Sequence, residues 1–335
     1  MIKNIKLRQE PLLLAPMEDV SDAVFRKLCK QAGADLMFTE FVSSDALIRN
    51  VEKTKQKLAI FDEERPIGIQ LYGKDVAAMA EAATIAEDAD CELIDLNFGC
   101  PVKKIAMRGA GAGLMKDIPL MLQIAEAVVE AVKIPVTAKT RLGWDENSKN
   151  IVDVAEKLQD TGIAALTIHG RTRAQLYTGT ADWTLIGEVK NNPRMNIPII
   201  GNGDINSPQK AKEYFNRYGV DGIMIGRAAI GCPWIFREIR YFLDTGQLLP
   251  PISVEEHVEN IKLQLRQTVD WLGERRGILH TRRHLAVTFK GLDNFRPLKI
   301  QMLRSDSVEE IENILEIVKL RYAEGGERYT VNGIG

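Results

Sequence analysis

A cysteine in a short loop that contains glycine and proline is the residue of this sequence best suited to proton transfer. Cys100 lies in the segment NFGCP at 97–101, directly after an apolar run. A lone cysteine is more often a small buried apolar residue. In a loop at the end of a strand, however, a thiol with its ordinary pKa of about 8.5 stays mostly protonated at neutral pH and can act as a general acid. We therefore take Cys100 as the candidate catalytic acid and interpret the other cysteines as structural, namely Cys29, Cys91 and Cys232.

Three further polar residues end apolar runs and could contact a ligand. Lys139 ends one such run, where burial of an ammonium group without a partner would be costly. It could form a Schiff base, as in an aldolase, or stabilise negative charge on a reduced flavin. His169 could donate a hydrogen bond to a ligand carbonyl, and Gln70 could offer a donor and an acceptor to a heterocycle. These residues leave an aldolase and a flavin enzyme both open.

Two glycine-containing loops are suited to binding a phosphate group. One apolar run leads into GNGD at 201–204, and a later run leads into Gly226 and Arg227. Glycines let backbone N–H groups approach an anion closely, and Arg227 would add a charge-assisted contact. The two loops together predict a phosphorylated ligand without saying which one.

The elements that must position these residues alternate between short apolar runs and longer amphipathic stretches. Repeated strand–helix units of this kind predict a parallel sheet. Eight units over roughly 240 residues match a closed TIM (β/α)8 barrel, whose active site lies at the carboxyl ends of the strands. The eight predicted strands are 12–15, 36–39, 67–71, 93–97, 135–139, 165–169, 197–201 and 222–226.

Beyond about residue 245 the sequence has only helical periodicity. Helices are predicted at 254–272, 281–290 and 308–320. Because this part carries no strand pattern, we expect a C-terminal helical bundle after the barrel. The expected domains are a catalytic barrel at 1–244 and a helical domain at 245–335.

The composition limits the classes of protein that need to be considered. The chain has 335 residues, is 45% hydrophobic and has a net charge of −2, so it shows no overall bias toward nucleic acid. Its four cysteines form no CxxC pair, so neither a metal site nor a disulfide framework is expected. No apolar run approaches the roughly 20 residues that span a bilayer. We expect a cytoplasmic, monomeric protein that is not embedded in a membrane.

Several separated motifs resemble one family of flavin enzymes, the tRNA-dihydrouridine synthases, and specifically the bacterial members of the B type. The resemblance runs from residue 14 to about residue 240. Its motifs, in the order of the family, are LAPM at 14–17, NFGCPVKK at 97–104, TIHGRTR at 167–173, NGDI at 202–205 and MIGRAAIGCPWIFREI at 224–239.

The resemblance implies a flavin mononucleotide (FMN) that is reduced by NADPH. The flavin N5 hydride then adds to C6 of a uridine in tRNA, and Cys100 protonates C5. Asn97 and Arg171 are expected to orient the uracil base. The residues implied to bind FMN are Pro16, Met17, Gln70, Lys139, His169, Asn202, Gly203, Asp204, Gly226 and Arg227.

A tRNA substrate would need a contact surface beyond the cavity, because a uridine must leave its stacked position to react. Residues 275–304 hold eight Lys or Arg and one acidic residue, so their local charge is 8 − 1 = +7. Phe289 and Phe295 lie between these cations, a pattern consistent with RNA binding. We predict phosphate contacts from Arg282, Arg283 and Lys290. The segment 108–113, RGAGAG, is expected to be a flexible loop that orders over bound RNA.

Two other functions remain open from the sequence. The first is a flavin enzyme that acts on a free pyrimidine, like the dihydroorotate dehydrogenases, although a small-molecule enzyme has no need of the basic C-terminal segment. The second is an RNA-binding protein without catalysis, which would have no need of Cys100, Lys139 and His169 together.

Overall fold

A computed structural model of the protein describes residues 2–323. These residues form one parallel sheet of nine strands. The strands are β1 (Leu12–Leu14), β2 (Met37–Phe38), β3 (Val42–Ser43), β4 (Ile67–Tyr72), β5 (Leu93–Asn97), β6 (Val136–Arg141), β7 (Ala165–His169), β8 (Ile199–Asn202) and β9 (Gly222–Ile225).

The sheet closes into a barrel with eight positions. The order runs β1-β9-β8-β7-β6-β5-β4-β2, and β3 pairs with the far end of β4, so β2 and β3 share one position. The ring closes between β1 and β2 because Asp35 N donates to Leu12 O at 2.8 Å and Leu14 N donates to Leu36 O at 3.0 Å. The predicted TIM barrel is confirmed. The strand predicted at 36–39 is only two residues long, and a second short strand, β3, follows outside the predicted range.

Strand β6 is longer than the sequence predicted. The prediction ended it at Lys139, but the backbone continues to pair as far as Arg141, which lies opposite His169 on β7. Because alternate residues of a strand point to the same face, Arg141 joins Lys139 on the side that faces the barrel mouth. Arg141 is therefore a second cation at the barrel mouth, beside Lys139.

Fourteen α-helices lie in the described residues and cover the barrel or follow it. Helix α9 shows why they form where they do, since Ser207 caps its first turn, proline occupies its first position and Gly219 ends it with a left-handed backbone at φ 65°. The helices are α1 (Ala23–Gln31), α2 (Ser44–Ile48), α3 (Glu52–Gln56), α4 (Val76–Glu87), α5 (Lys103–Ala106), α6 (Ile118–Ala131), α7 (Ile151–Asp160), α8 (Thr184–Asn191), α9 (Pro208–Tyr218), α10 (Ile235–Thr245), α11 (Val254–Leu272), α12 (Glu274–Leu285), α13 (Arg296–Arg304) and α14 (Val308–Tyr322).

Helices α11 to α14 share a hydrophobic core of their own, so the predicted C-terminal bundle is confirmed. The helix predicted at 281–290 is instead the end of α12, followed by turns, and α13 was not predicted. Phe289 and Phe295 are buried in this core, so neither is available to stack on RNA as the sequence suggested. Residues 324–335 of the predicted domain lie outside the described residues.

The bundle contacts the barrel through α12. Gly231 N donates to Nδ1 of His284 at 3.1 Å, and the His284 ring lies 4.5 Å from the ring of Phe25. Arg283 also forms an ion pair with Asp19 at 2.5 Å. The basic segment is thereby held beside the barrel mouth. Among residues 2–323, every helix is too short or too polar to cross a membrane.

Candidate functional site

A cavity of about 590 Å³ opens where the strands end at their carboxyl side. This volume lies in the range of cavities that hold cofactors or small molecules. Its wall includes Cys100, Asn97 and Arg171 together with all ten residues expected to bind FMN: Pro16, Met17, Gln70, Lys139, His169, Asn202, Gly203, Asp204, Gly226 and Arg227. The strand ends thus bring residues far apart in the sequence to one site.

Glycine is required at one point of the predicted phosphate end. Gly203 has a left-handed backbone at φ 126°, and a Cβ there would lie 2.7 Å from Cβ of Ala181 and 3.0 Å from Cδ2 of His169. Only glycine fits such a position without displacing its neighbours. Its backbone therefore passes close to the cavity, where the N–H groups of the loop could approach an anion.

Asp204, predicted as a cofactor contact, lines the cavity and also joins two arginines. Its two carboxylate oxygens accept hydrogen bonds from Arg171 Nη1 and Nη2, both at 2.8 Å, and Arg227 Nη2 adds a third at 3.0 Å. Burial alone would raise the pKa of Asp204, but the bonds from Arg171 and the Ala181 N–H outweigh it and lower the pKa. Asp204 therefore stays ionised and holds Arg227 at the cavity edge.

Lys139 and His169 carry different charges although they lie close together. Burial lowers the pKa of Lys139 to about 8, Arg141 lowers it too, and Asp95 opposes the shift, so Lys139 remains mainly protonated at pH 7. Burial lowers the pKa of His169 well below its ordinary value, and the charges of Arg141 and Lys139 lower it further. His169 is therefore a neutral imidazole with one donor and one acceptor.

Cys100 is held as a thiol. Its side chain is buried, with 7% of the residue exposed. Burial raises the pKa of the Cys100 thiol, and the N–H of Val102 and the charge of Arg141 offset only part of the rise. A protonated thiol at the cavity wall can donate a proton to a bound ligand.

The glycine-rich segment after Cys100 supports the cysteine rather than forming an open loop. Residues Gly111–Lys116 form a 3-10 helix, and Ala112 N donates to Cys100 O at 3.1 Å. Gly111 has φ 56°, and a Cβ there would lie 3.1 Å from Cβ of Cys100. The expectation of a flexible loop at 108–113 is therefore wrong for its buried second half, although Met107 and Arg108 before it are exposed.

Arg141 and Tyr177 are among the residues of the cavity that the sequence did not predict. Arg141 is 2% exposed and donates through Nε to Gly99 O at 2.8 Å and through Nη1 to Leu176 O at 3.0 Å. Tyr177 is 53% exposed, and its ring lies 5.7 Å from Cζ of Arg141 and 4.9 Å from Cζ of Arg227. The two-residue spacing from Lys139 could have pointed to Arg141, whereas no sequence signal marks Tyr177.

The predicted substrate contacts divide into two groups. Asn97 and Arg171 line the cavity, but Arg171 is 2% exposed and also donates to Thr178 O and Gly179 O, which occupies most of its donors. Arg282 pairs with Asp306 at 2.6 Å and Arg283 pairs with Asp19. Neither of these two arginines nor Lys290 lines the cavity.

Comparison with known proteins decides which family shares this site. The family model for dihydrouridine synthase (Dus) matches residues 13–323, which is nearly the whole chain. The chain belongs to the dihydrouridine synthase family. The resemblance seen in the sequence is thus confirmed, and relatives that carry the B-type name include proteins from Pseudomonas and Shewanella species.

Individual relatives match this family member over most of their length. It is 41% identical over 317 residues to the probable tRNA-dihydrouridine synthase of Rickettsia prowazekii, covering 94% of this chain and 96% of that protein. It is 42% identical over 294 residues to tRNA-dihydrouridine synthase B of Pseudomonas aeruginosa, covering 88% of each. The solved structure of morphinone reductase in complex with tetrahydroNAD has a TM-score of 0.52 at 13% identity, covering 75% of this chain and 91% of that one. The last likeness shows the shared fold alone.

Proposed function

We propose that this protein is an FMN-dependent tRNA-dihydrouridine synthase that uses NADPH to reduce the C5=C6 bond of particular uridines in tRNA. The observation that carries the proposal is the buried, protonated Cys100 thiol on the wall of a cavity that also holds Lys139 and His169. The names of the relatives, which match over 88% to 96% of their own length, support the same reaction.

The residues of the cavity fit FMN. The close-packed backbone at Gly203 and the guanidinium group of Arg227 offer N–H donors to a phosphate at one end. Lys139 lies further in, where burial of its charge favours an anionic neighbour. When bound, FMN would supply a hydride that this chain has no side chain to provide.

Each polar residue of the site then has a definite task. Cys100 holds a proton on Sγ at neutral pH and would donate it to C5 of the uracil. Lys139 would place a positive charge beside the isoalloxazine ring and stabilise its anionic form. His169, being neutral, can donate one hydrogen bond to a ring carbonyl without adding charge. Because Arg171 has most of its donors committed, we propose that it supports the site. We propose that Asn97 contacts the base through the second N–H of Nδ2, whose first N–H donates to Gln70.

The C-terminal bundle is proposed to bind the tRNA, with the domains divided at residue 245. The basic segment carries a local charge of +7, which suits a phosphate backbone. Arg282, Arg283 and Lys290 stay our proposed contacts, although two of them already pair with carboxylates. Within residues 2–323, no ion pair joins the segment's other cations to a carboxylate: Arg275, Arg276, Arg296, Lys299 and Arg304. A cytoplasmic, monomeric enzyme is consistent with this proposal.

The test is to incubate the purified protein with NADPH and tRNA that lacks dihydrouridine, and to map the product by mass spectrometry. Cys100→Ala should keep the flavin absorbance and its bleaching by NADPH but form no dihydrouridine. Cys91→Ala, at another buried cysteine, is the matched control and should form the product. Normal product from Cys100→Ala would exclude its role as the acid. Product from a free pyrimidine but none from tRNA would favour the dihydroorotate-type reaction.

A further inference from the structure

A buried carboxylate with no assigned role lies on the barrel interior, one step below the cavity. Asp95 on β5 is 1% exposed and lies in register with Gln70 on β4 and Thr137 on β6. Register partners in a parallel sheet present their side chains to the same face. Accordingly, Gln70 Nε2 donates to Asp95 Oδ2 and Thr137 Oγ1 donates to Asp95 Oδ1, both at 2.6 Å.

The hydrogen bonds continue from Asp95 to the cysteine. Asn97 Nδ2 donates to Gln70 Oε1 at 2.7 Å. The other end of the Asn97 amide, Oδ1, accepts from Gly99 N at 3.1 Å and from Cys100 N at 2.8 Å. We call the side chains of Asp95, Gln70 and Asn97 the amide relay, because two amide groups connect a carboxylate to the backbone of Cys100.

The two ends of the amide relay fix its direction. Backbone N–H groups can only donate, so Asn97 must turn Oδ1 toward Cys100 and Nδ2 toward Gln70. Gln70 must then turn Oε1 toward Asn97 and Nε2 away from it. Only an acceptor can meet that Nε2, and Asp95 Oδ2 supplies one. Burial raises the pKa of Asp95 to about 6, so its carboxyl group is ionised at pH 8. Every polar group along the relay is satisfied in this one orientation, and a buried polar group that loses its partner is costly.

We propose that Asp95 is a positioning residue for Cys100, which acts through Gln70 and Asn97 to hold the backbone of the cysteine in place. The proposal rests on the proposed function insofar as Cys100 is the proton donor. It assigns a role to a residue that does not itself line the cavity and that reaches Cys100 only through Gln70 and Asn97. The role it requires of Asp95 is that of a hydrogen-bond acceptor for Gln70 Nε2.

The decisive experiment reverses the direction of the relay. In Asn97→Asp, Gln70 lies between two carboxylates but has only one NH₂ group to donate. Its Oε1 must then face a carboxylate oxygen, and the two acceptors repel each other. Adding Asp95→Asn supplies an NH₂ group at the position of Asp95. In the double variant Gln70 can turn around, so that its Oε1 accepts from the new amide and its Nε2 donates to the new carboxylate. Asparagine and aspartate have nearly the same shape, so these changes alter hydrogen bonding and charge more than packing.

Two readouts are measured for the flavin-containing protein as purified at pH 8. The first is dihydrouridine formation in tRNA, and the second is hydrogen–deuterium exchange of the peptide that contains Gly99 and Cys100. Asn97→Asp should lower the rate of product formation about tenfold or more and speed exchange. The double variant should return both readouts to within about threefold of the wild type. Asp95→Asn alone keeps an acceptor for Gln70 and should change either readout by less than about threefold.

Thr137→Val is the matched control. It removes the other 2.6 Å bond to the same carboxylate but leaves the bond between Gln70 and Asp95. It should not speed exchange at Cys100. Failure of Asp95→Asn to rescue Asn97→Asp would overturn the relay, because a direct loss of a substrate contact at Asn97 predicts no rescue.

The outcomes also separate this inference from the proposed function. A wild-type protein that forms no dihydrouridine contradicts the function, while the exchange pattern still decides the relay. If Asn97→Asp fails to fold, folding of the double variant supports the relay. Failure of both variants to fold counts against it.

Discussion

Arg171 offers the sharpest test of the difference between what its sequence context suggests and what its contacts indicate. Its guanidinium group donates to both oxygens of Asp204 at 2.8 Å, to Thr178 O at 3.1 Å and to Gly179 O at 2.5 Å. It therefore joins the loop after β7 to the loop after β8. Arg171→Lys keeps the positive charge but replaces a planar fork with a single ammonium group, which cannot reach all these acceptors.

The size of the effect follows from the burial of the pair. Removing one member of a buried ion pair costs about 3–5 kcal/mol. Asp204 has a side chain that is 16% exposed and keeps Arg227 as a second partner, so the cost lies at the lower end. Loss of the hydrogen bonds to Thr178 O and Gly179 O adds to this cost, while the positive charge of the lysine recovers part of the attraction to Asp204. We expect Arg171→Lys to lower the free energy of unfolding by about 2–4 kcal/mol.

Urea unfolding with and without FMN is the appropriate assay. Arg217→Lys is the matched control, because Arg217 is 62% exposed and its contact with Glu213 is 3.7 Å long. Exposed pairs of this kind contribute little, so the control should lie within about 0.5 kcal/mol of the wild type. Wild-type stability of Arg171→Lys, together with loss of dihydrouridine formation, would refute the reasoning and restore Arg171 as a contact to the base.

Two further predictions concern the C-terminal bundle. Burial lowers the pKa of His284 to about 4, and its neutral Nδ1 accepts a hydrogen bond from a backbone N–H of the barrel. The stability that the neutral His284 contributes is therefore fully present above the ordinary pKa of about 6.5 and is lost as the pH falls toward 4. His284→Gln should therefore weaken the pH dependence of the urea midpoint between pH 7 and 5, and an unchanged slope would contradict it. Arg282 and Arg283 already pair with carboxylates. Alanine at both Arg275 and Arg276 should therefore reduce the salt slope of tRNA binding more than alanine at both Arg282 and Arg283, by up to about two. The opposite order in binding titrations against salt would show that the paired arginines contribute more to the phosphate contacts than the unpaired ones.

The fold could be predicted from the sequence wherever local pattern and tertiary structure agree. Strands β5 and β7 and helix α11 have the predicted bounds because apolar periodicity, caps and turn residues all favour the same element. Helix α13 was missed since its sequence, RPLKIQMLR, buries only Leu298 and Met302 and shows little periodicity. Its position depends on packing against α12 and α14, which no local pattern records.

The location of the site was also predictable, but the tasks of its charged residues were not. Once a barrel is expected, polar residues at strand ends must converge, as Cys100 and Lys139 do. Whether an arginine faces a ligand or a neighbouring carboxylate depends on which loops meet in space. Arg171 and Asp204 are 33 residues apart, and their pairing cannot be read from either motif. Similarly, the interior partner of Gln70 is fixed by strand register rather than by sequence distance.

The charge of the cavity shows why whole-chain composition is a poor guide to a site. The chain has a net charge of −2, which gave no reason to expect an anionic ligand. The residues that line the cavity nevertheless include five cations and two carboxylates, a difference of 5 − 2 = +3. Since the low-dielectric walls strengthen the interactions of these charges, the cavity itself favours an anionic ligand. The cations are Lys139, Arg141, Arg171, Lys210 and Arg227, and the carboxylates are Glu18 and Asp204. Burial keeps His169 neutral by lowering its pKa, and the positive charges around the cavity lower that pKa further.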